Sequence, residues 1–291
     1  MARPWALVIG RPKGEPARAS ASVSLSLPWP PGRALHRAAA LQAADACGDR
    51  DAGRYTSPVK AASTPGRREA WTRAGLRCGV AAGPVFVTVF LVEGAVRDGY
   101  RPLRHPVSSL ALGSRGWIQA GNFAVAGTLF LAGAAGLARA DDRVASRPAA
   151  PVLIGAAGAG LIGAAVFPTD PVSGYPPGTP DALAGRSLTG MAHNIAAVPV
   201  FFGLPAAALA CSWRSWRAGQ RRFGLYSAGT AVTMLAAMAL AAAGFGQSPR
   251  FVNLGGLFQR ASIITGFAWL TALSARALQR APGTHRSAPA A

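Results

Sequence analysis

Apolar residues in this chain are gathered into long blocks instead of alternating with polar ones. Six blocks stand out: residues 76–96, 117–138, 151–167, 188–211, 224–244 and 256–273. A hydrocarbon core of about 30 Å takes around 20 helical residues at 1.5 Å each. The pattern therefore predicts an all-α integral membrane protein with six transmembrane helices. The third block is short and needs its ends to extend slightly. It carries small residues at four-residue spacing (Gly155, Ala159, Gly163 and, in parallel, Ala156, Gly160, Ala164), which predict close packing against neighbouring helices. Pro84, Pro199 and Pro205 fall inside blocks and predict kinks, tolerated where neighbours satisfy the freed carbonyls.

The hydrophilic segments set an expected orientation. Arg67, Arg68, Arg73, Arg77, Arg139, Arg143, Arg147, Arg214, Arg217, Arg221, Arg222, Arg276, Arg280 and Arg286 flank one side of the blocks, against Arg97, Arg101, Arg104, Arg115, Arg186 and Arg250 on the other. Positive flanks stay inside, so both termini are expected to be cytoplasmic and the protein to sit in the cytoplasmic membrane. The loop holding Arg97, Arg101, Arg104 and Arg115 is external against its own charge. Residues 76–278 form the expected membrane domain and 279–291 a disordered tail. Residues 1–75, rich in Arg, Pro and Ala, read either as a disordered tail or as the product of a translation start assigned too early. They lack the basic start, apolar stretch and small-residue cleavage site of a secretory signal.

Composition narrows the chemistry. Of 291 residues, 51% are hydrophobic and 14% charged, which places the chain outside ordinary soluble domains. The net charge of +19 would suit nucleic acid, but Lys13 and Lys60 are the only lysines, and the arginines lie in a tail and in short loops without aromatic interleaving. No nucleic-acid partner is expected; membrane lipids are. Cys47, Cys78 and Cys211 have neither CxxC nor metal spacing and are expected to be free thiols. No phosphate-binding loop, nucleophile elbow or dinucleotide fingerprint is present, so no cofactor is expected.

Polar groups within the blocks gather at their external ends: Glu93, Gln119, Asn122, His193, Asn194, Gln259 and Arg260, with Arg97, His105, Ser108 and Asp170 just beyond. Ionisable groups are costly inside a span, so these eleven residues are candidates for a ligand pocket, the alternative being a solvated polar cap. Glu93 and Arg97 are spaced to pair at i,i+4, and Arg260 is expected to pair with Asp170 or Glu93. Residues 167–180 hold five prolines and two glycines, which exclude helix and suit a stiff cover over this end. His105 and His193 with Asp170 or Glu93 would make a two-His, one-carboxylate set, but from separate segments and without HExxH spacing.

Several of these residues carry a family likeness. His105-Pro106-Val107-Ser108-Ser109-Leu110-Ala111-Leu112-Gly113 is followed by Trp117-Ile118-Gln119 and Asn122-Phe123. Val166-Phe167-Pro168-Thr169-Asp170-Pro171, Pro176-Pro177-Gly178-Thr179-Pro180 and His193-Asn194 come next, in that order. Over roughly residues 76–278 the chain resembles an actinobacterial-type, uncharacterised membrane family, domain of unknown function 998. The resemblance implies a multi-pass membrane protein and names no activity. The leading expectation is a non-catalytic protein whose external pocket binds lipid or a small amphiphile. A small transporter is the alternative. A metal-dependent membrane hydrolase using His105, His193 and Asp170 is the second alternative.

Overall fold

The computed structural model describes residues 65–182 and 185–281, all within one compact unit. Among them six helical spans are long and apolar enough to cross a membrane. They are α1 (Pro65–Val96), α2 (Gly116–Arg139), α3 (Ala149–Val166), a fourth span made of α4 (Leu188–Val198), a π-turn (Pro199–Gly203) and α5 (Leu204–Arg217), then α6 (Arg221–Phe245) and α7 (Gly255–Arg280). α1 begins at Pro65 and α7 ends at Arg280, so both helices run past the 76–278 expected for the membrane domain. Residues 65–75 are helical because they pack: Thr72 is buried, and Gly75 lies against α2. At 32 residues α1 is about 48 Å long and outreaches a bilayer core. The two readings of the N-terminal tail fall otherwise on residues outside those described.

Each span packs on its neighbour in sequence, and α1 closes the circle against α7. Residues 97–115, 167–182, 185–187 and 246–254 cap one end of this ring, here termed the loop end. The described termini, with loops 140–148 and 218–220, form the terminal end. Large side chains exposed along the spans, such as Val152, Ile195 and Val232, form the surface offered to hydrocarbon. Exposed Trp117 at the loop end and Trp71, Trp213 and Trp216 at the terminal end bracket that surface, as interfacial aromatics do.

Helices that associate in lipid rely on close backbone approach and on hydrogen bonds between them. Two of the predicted small residues of α3, Gly160 and Gly163, face Ala196 of α4, while Gly158, outside the predicted rows, abuts Gly127 of α2. A second close crossing, between Gly75 and Gly79 of α1 and Gly133 and Gly136 of α2, was equally visible as four-residue and three-residue spacings but had not been expected; a Cβ on Gly136 would lie 2.6 Å from the Leu76 nitrogen. Polar clamps add to the packing. Ser212 donates to Gly224 O at 2.8 Å, Ser262 to Met234 O at 3.0 Å, and Trp269 Nε1 to Ser227 at 3.0 Å.

The terminal end is fastened by a buried carboxylate. Asp142 accepts Val144 N at 2.8 Å and Ala145 N at 3.1 Å, and pairs with Arg280 at 2.8 Å. Burial alone would raise its pKa, but the bonds from Arg280 and the two amides prevail and hold it below the usual carboxylate range. Cys78 and Cys211 are free thiols.

The prolines are accommodated differently. α1 runs unbroken through Pro84, which has no N–H for the carbonyl four residues earlier, Val80. Thr271 Oγ1 of α7 donates to that carbonyl at 3.2 Å. Pro199 instead opens the π-turn, where Leu204 N–H reaches back five residues to Pro199 O. Pro205 follows directly, in the first turn of α5.

Thr271→Val is expected to lower stability by about 0.6–2 kcal/mol, because it orphans the Val80 carbonyl. Adding Pro84→Ala restores an N–H donor and is expected to recover most of that loss. Reversible denaturation of the two variants in mixed micelles measures both, and simple additivity would refute the pairing.

Candidate functional site

The loop end is organised around Arg260, one turn into α7 and 6% exposed. Its Nη1 donates to the carbonyls of Pro102, of His105 at 3.0 Å and of Gly256 at 3.0 Å, and its Nη2 donates to the Tyr100 hydroxyl. The guanidinium also lies over the rings of Phe90 and Tyr100, at 5.8 and 5.5 Å. The expected pairing of Arg260 with Asp170 or Glu93 is therefore corrected. Glu93 is already taken by Arg97 at 2.6 Å and Arg115 at 2.5 Å, and Asp170 by Ser187. Carbonyl dipoles and aromatic faces compensate the Arg260 charge where no carboxylate remains.

That anchor fixes the first loop and, through it, the proline-rich one. Tyr100 is buried against His105 and Tyr175, and donates to Pro106 O at 2.9 Å. Burial pushes its hydroxyl up to about 12, against the pull of Arg260, so it remains a phenol and a donor. His105 accepts Arg101 N–H on Nδ1 at 2.9 Å. Burial, reinforced by Arg104, Arg101 and Arg260, brings its pKa down to about 4, so this imidazole is neutral. Arg104 crosses to the second loop, donating to Ser173 O at 3.1 Å and pairing with Asp181 at 2.7 Å. Segment 167–180 is thus tied down by an arginine and two aromatic rings, and Tyr175 is its buried anchor.

Beneath these loops lies a cavity of about 460 Å³. Its polar wall, toward the loop end, holds Ser108, Thr169, Asp170, His193, Asn194 and Gln259. Its apolar floor is built from Phe86, Phe123, Leu161, Phe201, Ile263 and Phe267. The floor aromatics form one stack, with Phe86 and Phe267 ring centroids 5.0 Å apart and Phe86 and Phe123 5.5 Å apart. The volume falls within the roughly 300–1,000 Å³ of small-molecule sites.

The fourth span explains why the cavity exists. Beyond the π-turn α4 rests on α3, whereas α5 packs on α6. The loop-end half of this span therefore stands away from α6. Asn194, Val198 and Phe202 on one side, and Leu235, Ala239 and Ala242 on the other, all line the cavity while remaining exposed. The gap faces sideways, toward the bilayer. At the head of α4 Ser187 caps the helix by accepting Gly190 N at 2.9 Å, and donates its hydroxyl to Asp170 at 2.6 Å. Asp170 lies so close over Gly190 that a Cβ there would strike its carboxylate.

Of the eleven sequence candidates, Ser108, Asp170, His193, Asn194 and Gln259 meet on the cavity wall. Glu93, Arg97, His105, Gln119, Asn122 and Arg260 do not line it. Gln119 and Asn122 join α2 to α1, Asn122 donating to Phe86 O at 3.1 Å and to Gln119 at 3.3 Å. His105 and His193 lie in different surroundings, and no three His, Cys, Asp or Glu come together among the described residues. Ser108, His193 and Asp170 share the cavity without forming a relay, because His193 Nδ1 is bound to Phe167 O at 2.8 Å and Asp170 to Ser187. The apolar floor and the contribution of α6 had no polar residue to signal them.

The sequence matches the family described as protein of unknown function (DUF998) over residues 80–276, about two thirds of the chain. The protein therefore belongs to the DUF998 family. No curated protein and no solved structure matches it.

Two outcomes test the loop-end architecture. His105 is near 4 when folded against an ordinary value of about 6.5, so the unfolded chain binds the extra proton. Its contribution to stability is complete above about pH 6.5 and is lost as pH falls toward 4; a melting temperature in detergent that rises over that descent would contradict this. Arg260→Met is expected to cost on the order of 3 kcal/mol and to raise hydrogen exchange across residues 97–115.

Proposed function

We propose that this DUF998 member binds a single-chain lipid or other small amphiphile at the loop end of its six-helix ring and acts by binding, not by catalysis. The observation that carries this reading is the shape and chemistry of the cavity: polar toward the loops, apolar below, and open sideways between α4 and α6. A water-soluble ligand gains nothing from a lateral gap lined by Val198, Phe202 and Leu235. A molecule already dissolved in the bilayer can slide in without crossing water, keeping its chain against Phe201 and Ile263. Burying that chain away from water contributes little here, since lipid is equally apolar, so affinity rests on shape fit and on hydrogen bonds at the head. The arginine distribution supports placing the terminal end at the cytoplasmic face and the pocket in the outer leaflet of the cytoplasmic membrane. The lack of a relay among Ser108, His193 and Asp170 favours binding over hydrolysis.

Ala239→Trp places a large side chain on the exposed rim, where it closes the gap without entering the core. Full-length protein extracted into native nanodiscs is expected to retain a bound lipid by native mass spectrometry. Ala239→Trp is expected to lower that occupancy at least tenfold with helix content unchanged. Equal occupancy in both, or none in the wild type, would defeat the proposal.

A further inference from the structure

The polar wall carries a discriminating feature. Its lining includes a carboxylate and no arginine or lysine, although the same end of the protein holds seven arginines. Arg97 and Arg115 are spent on Glu93, Arg104 on Asp181 and Ser173, and Arg260 on carbonyls, while Arg101, Arg186 and Arg250 are exposed in the loops; none lines the cavity. A phosphate or carboxylate head entering here would lose water and find no countercharge. A cationic head would meet one anion, already engaged by neutral donors and by a helix terminus. Asp170 accepts Ser187 N at 3.2 Å and Ser187 Oγ at 2.6 Å, and sits at the positive end of α4.

What remains available is neutral hydrogen bonding. Gln259 Oε1 accepts Val107 N at 2.8 Å, which orients the amide and leaves Nε2 as a donor without a partner among the described residues. The Ser108 hydroxyl and the Asn194 amide line the cavity unengaged by those residues. His193 lines the same wall with Nδ1–H given to Phe167 O, and the Ser108 hydroxyl oxygen and the Asn194 amide oxygen supply acceptors. Donor and acceptor thus occur together, the complement of a hydroxyl group, which both donates and accepts.

Building on the amphiphile reading, we infer that the ligand is a single-chain lipid with an uncharged, hydroxyl-bearing head, of the class of long-chain alcohols and monoglycerides, held at Gln259 and Ser108. Four diazirine-bearing sixteen-carbon probes differing only in the head (alcohol, ammonium, sulfate, phosphate) are photolysed with the full-length protein in phosphatidylcholine vesicles. The alcohol is expected to label at least tenfold more than the sulfate or phosphate, and Ala239→Trp to abolish that labelling. Gln259→Glu keeps the acceptor for Val107 N but replaces the free donor with charge, and is expected to shift preference to the ammonium probe. Equal labelling by all heads, still blocked by Ala239→Trp, overturns the head assignment and leaves the pocket standing. Preferred labelling by a charged probe in the wild type, or an unaltered preference in Gln259→Glu, overturns it as well. Labelling that Ala239→Trp does not reduce overturns the pocket itself.

Discussion

A guanidinium with no carboxylate partner holds the loop end together. Arg260 binds the carbonyls of Pro102 and His105, and the Tyr100 hydroxyl, from a position inside a span. Loop carbonyls at the margin of a bilayer have little water to turn to, and a charged donor satisfies several at once. Everything above the cavity follows from this. Tyr100 and His105 are placed by Arg260, Tyr175 packs on both, and Arg104 then draws in Ser173 and Asp181. The arginine-bearing first loop uses three of its arginines to join segments, Arg97 and Arg115 sharing Glu93 and Arg104 pairing with Asp181.

The cavity arises from a second constraint, the fate of backbone groups around proline. At Pro84 a threonine from another helix replaces the lost donor and α1 continues. At Pro199 no side chain among the described residues donates in this way; the helix widens into a π-turn, and its loop-end half leans on α3 and away from α6. One span thereby belongs to two packing surfaces, closed in its lower half and parted in its upper half. Asp170 and Ser187 fasten the displaced half at its N-terminus. The resulting gap and the empty volume behind it are a consequence of the same break.

These two features give the polar residues of the loop end different work. Arg97, Arg104, Arg115 and Arg260 are consumed in building the roof, while the wall is left with neutral groups (Gln259, Ser108, Asn194, His193) and one carboxylate, Asp170. That division underlies the assignment of an uncharged head. A site for anionic lipid would require an arginine on that wall, and none lines it.

The sequence by itself determined the six spans, because a hydrocarbon core demands long apolar helices whose backbone bonds close within each segment. It also determined the Glu93–Arg97 pair and the packing role of the Gly residues in α3, both of which depend on spacing along one helix. The span limits at Leu76 and Leu273 fell short because residues beyond them are less apolar, and their helicity comes from tertiary contacts such as Gly75 against α2. Among the candidate site residues, composition could mark what was polar but not which partner each would meet. Arg260 and His105 were as conspicuous as His193 and Gln259, yet they face the roof. Only the tertiary structure separated them, because partners on other segments, such as Pro102 for Arg260 and Val107 for Gln259, decide whether a buried polar group is consumed or left available. It alone exposed the apolar floor and the α4–α6 gap, since neither Phe201 nor Ala239 differs in type from the other apolar residues of its helix.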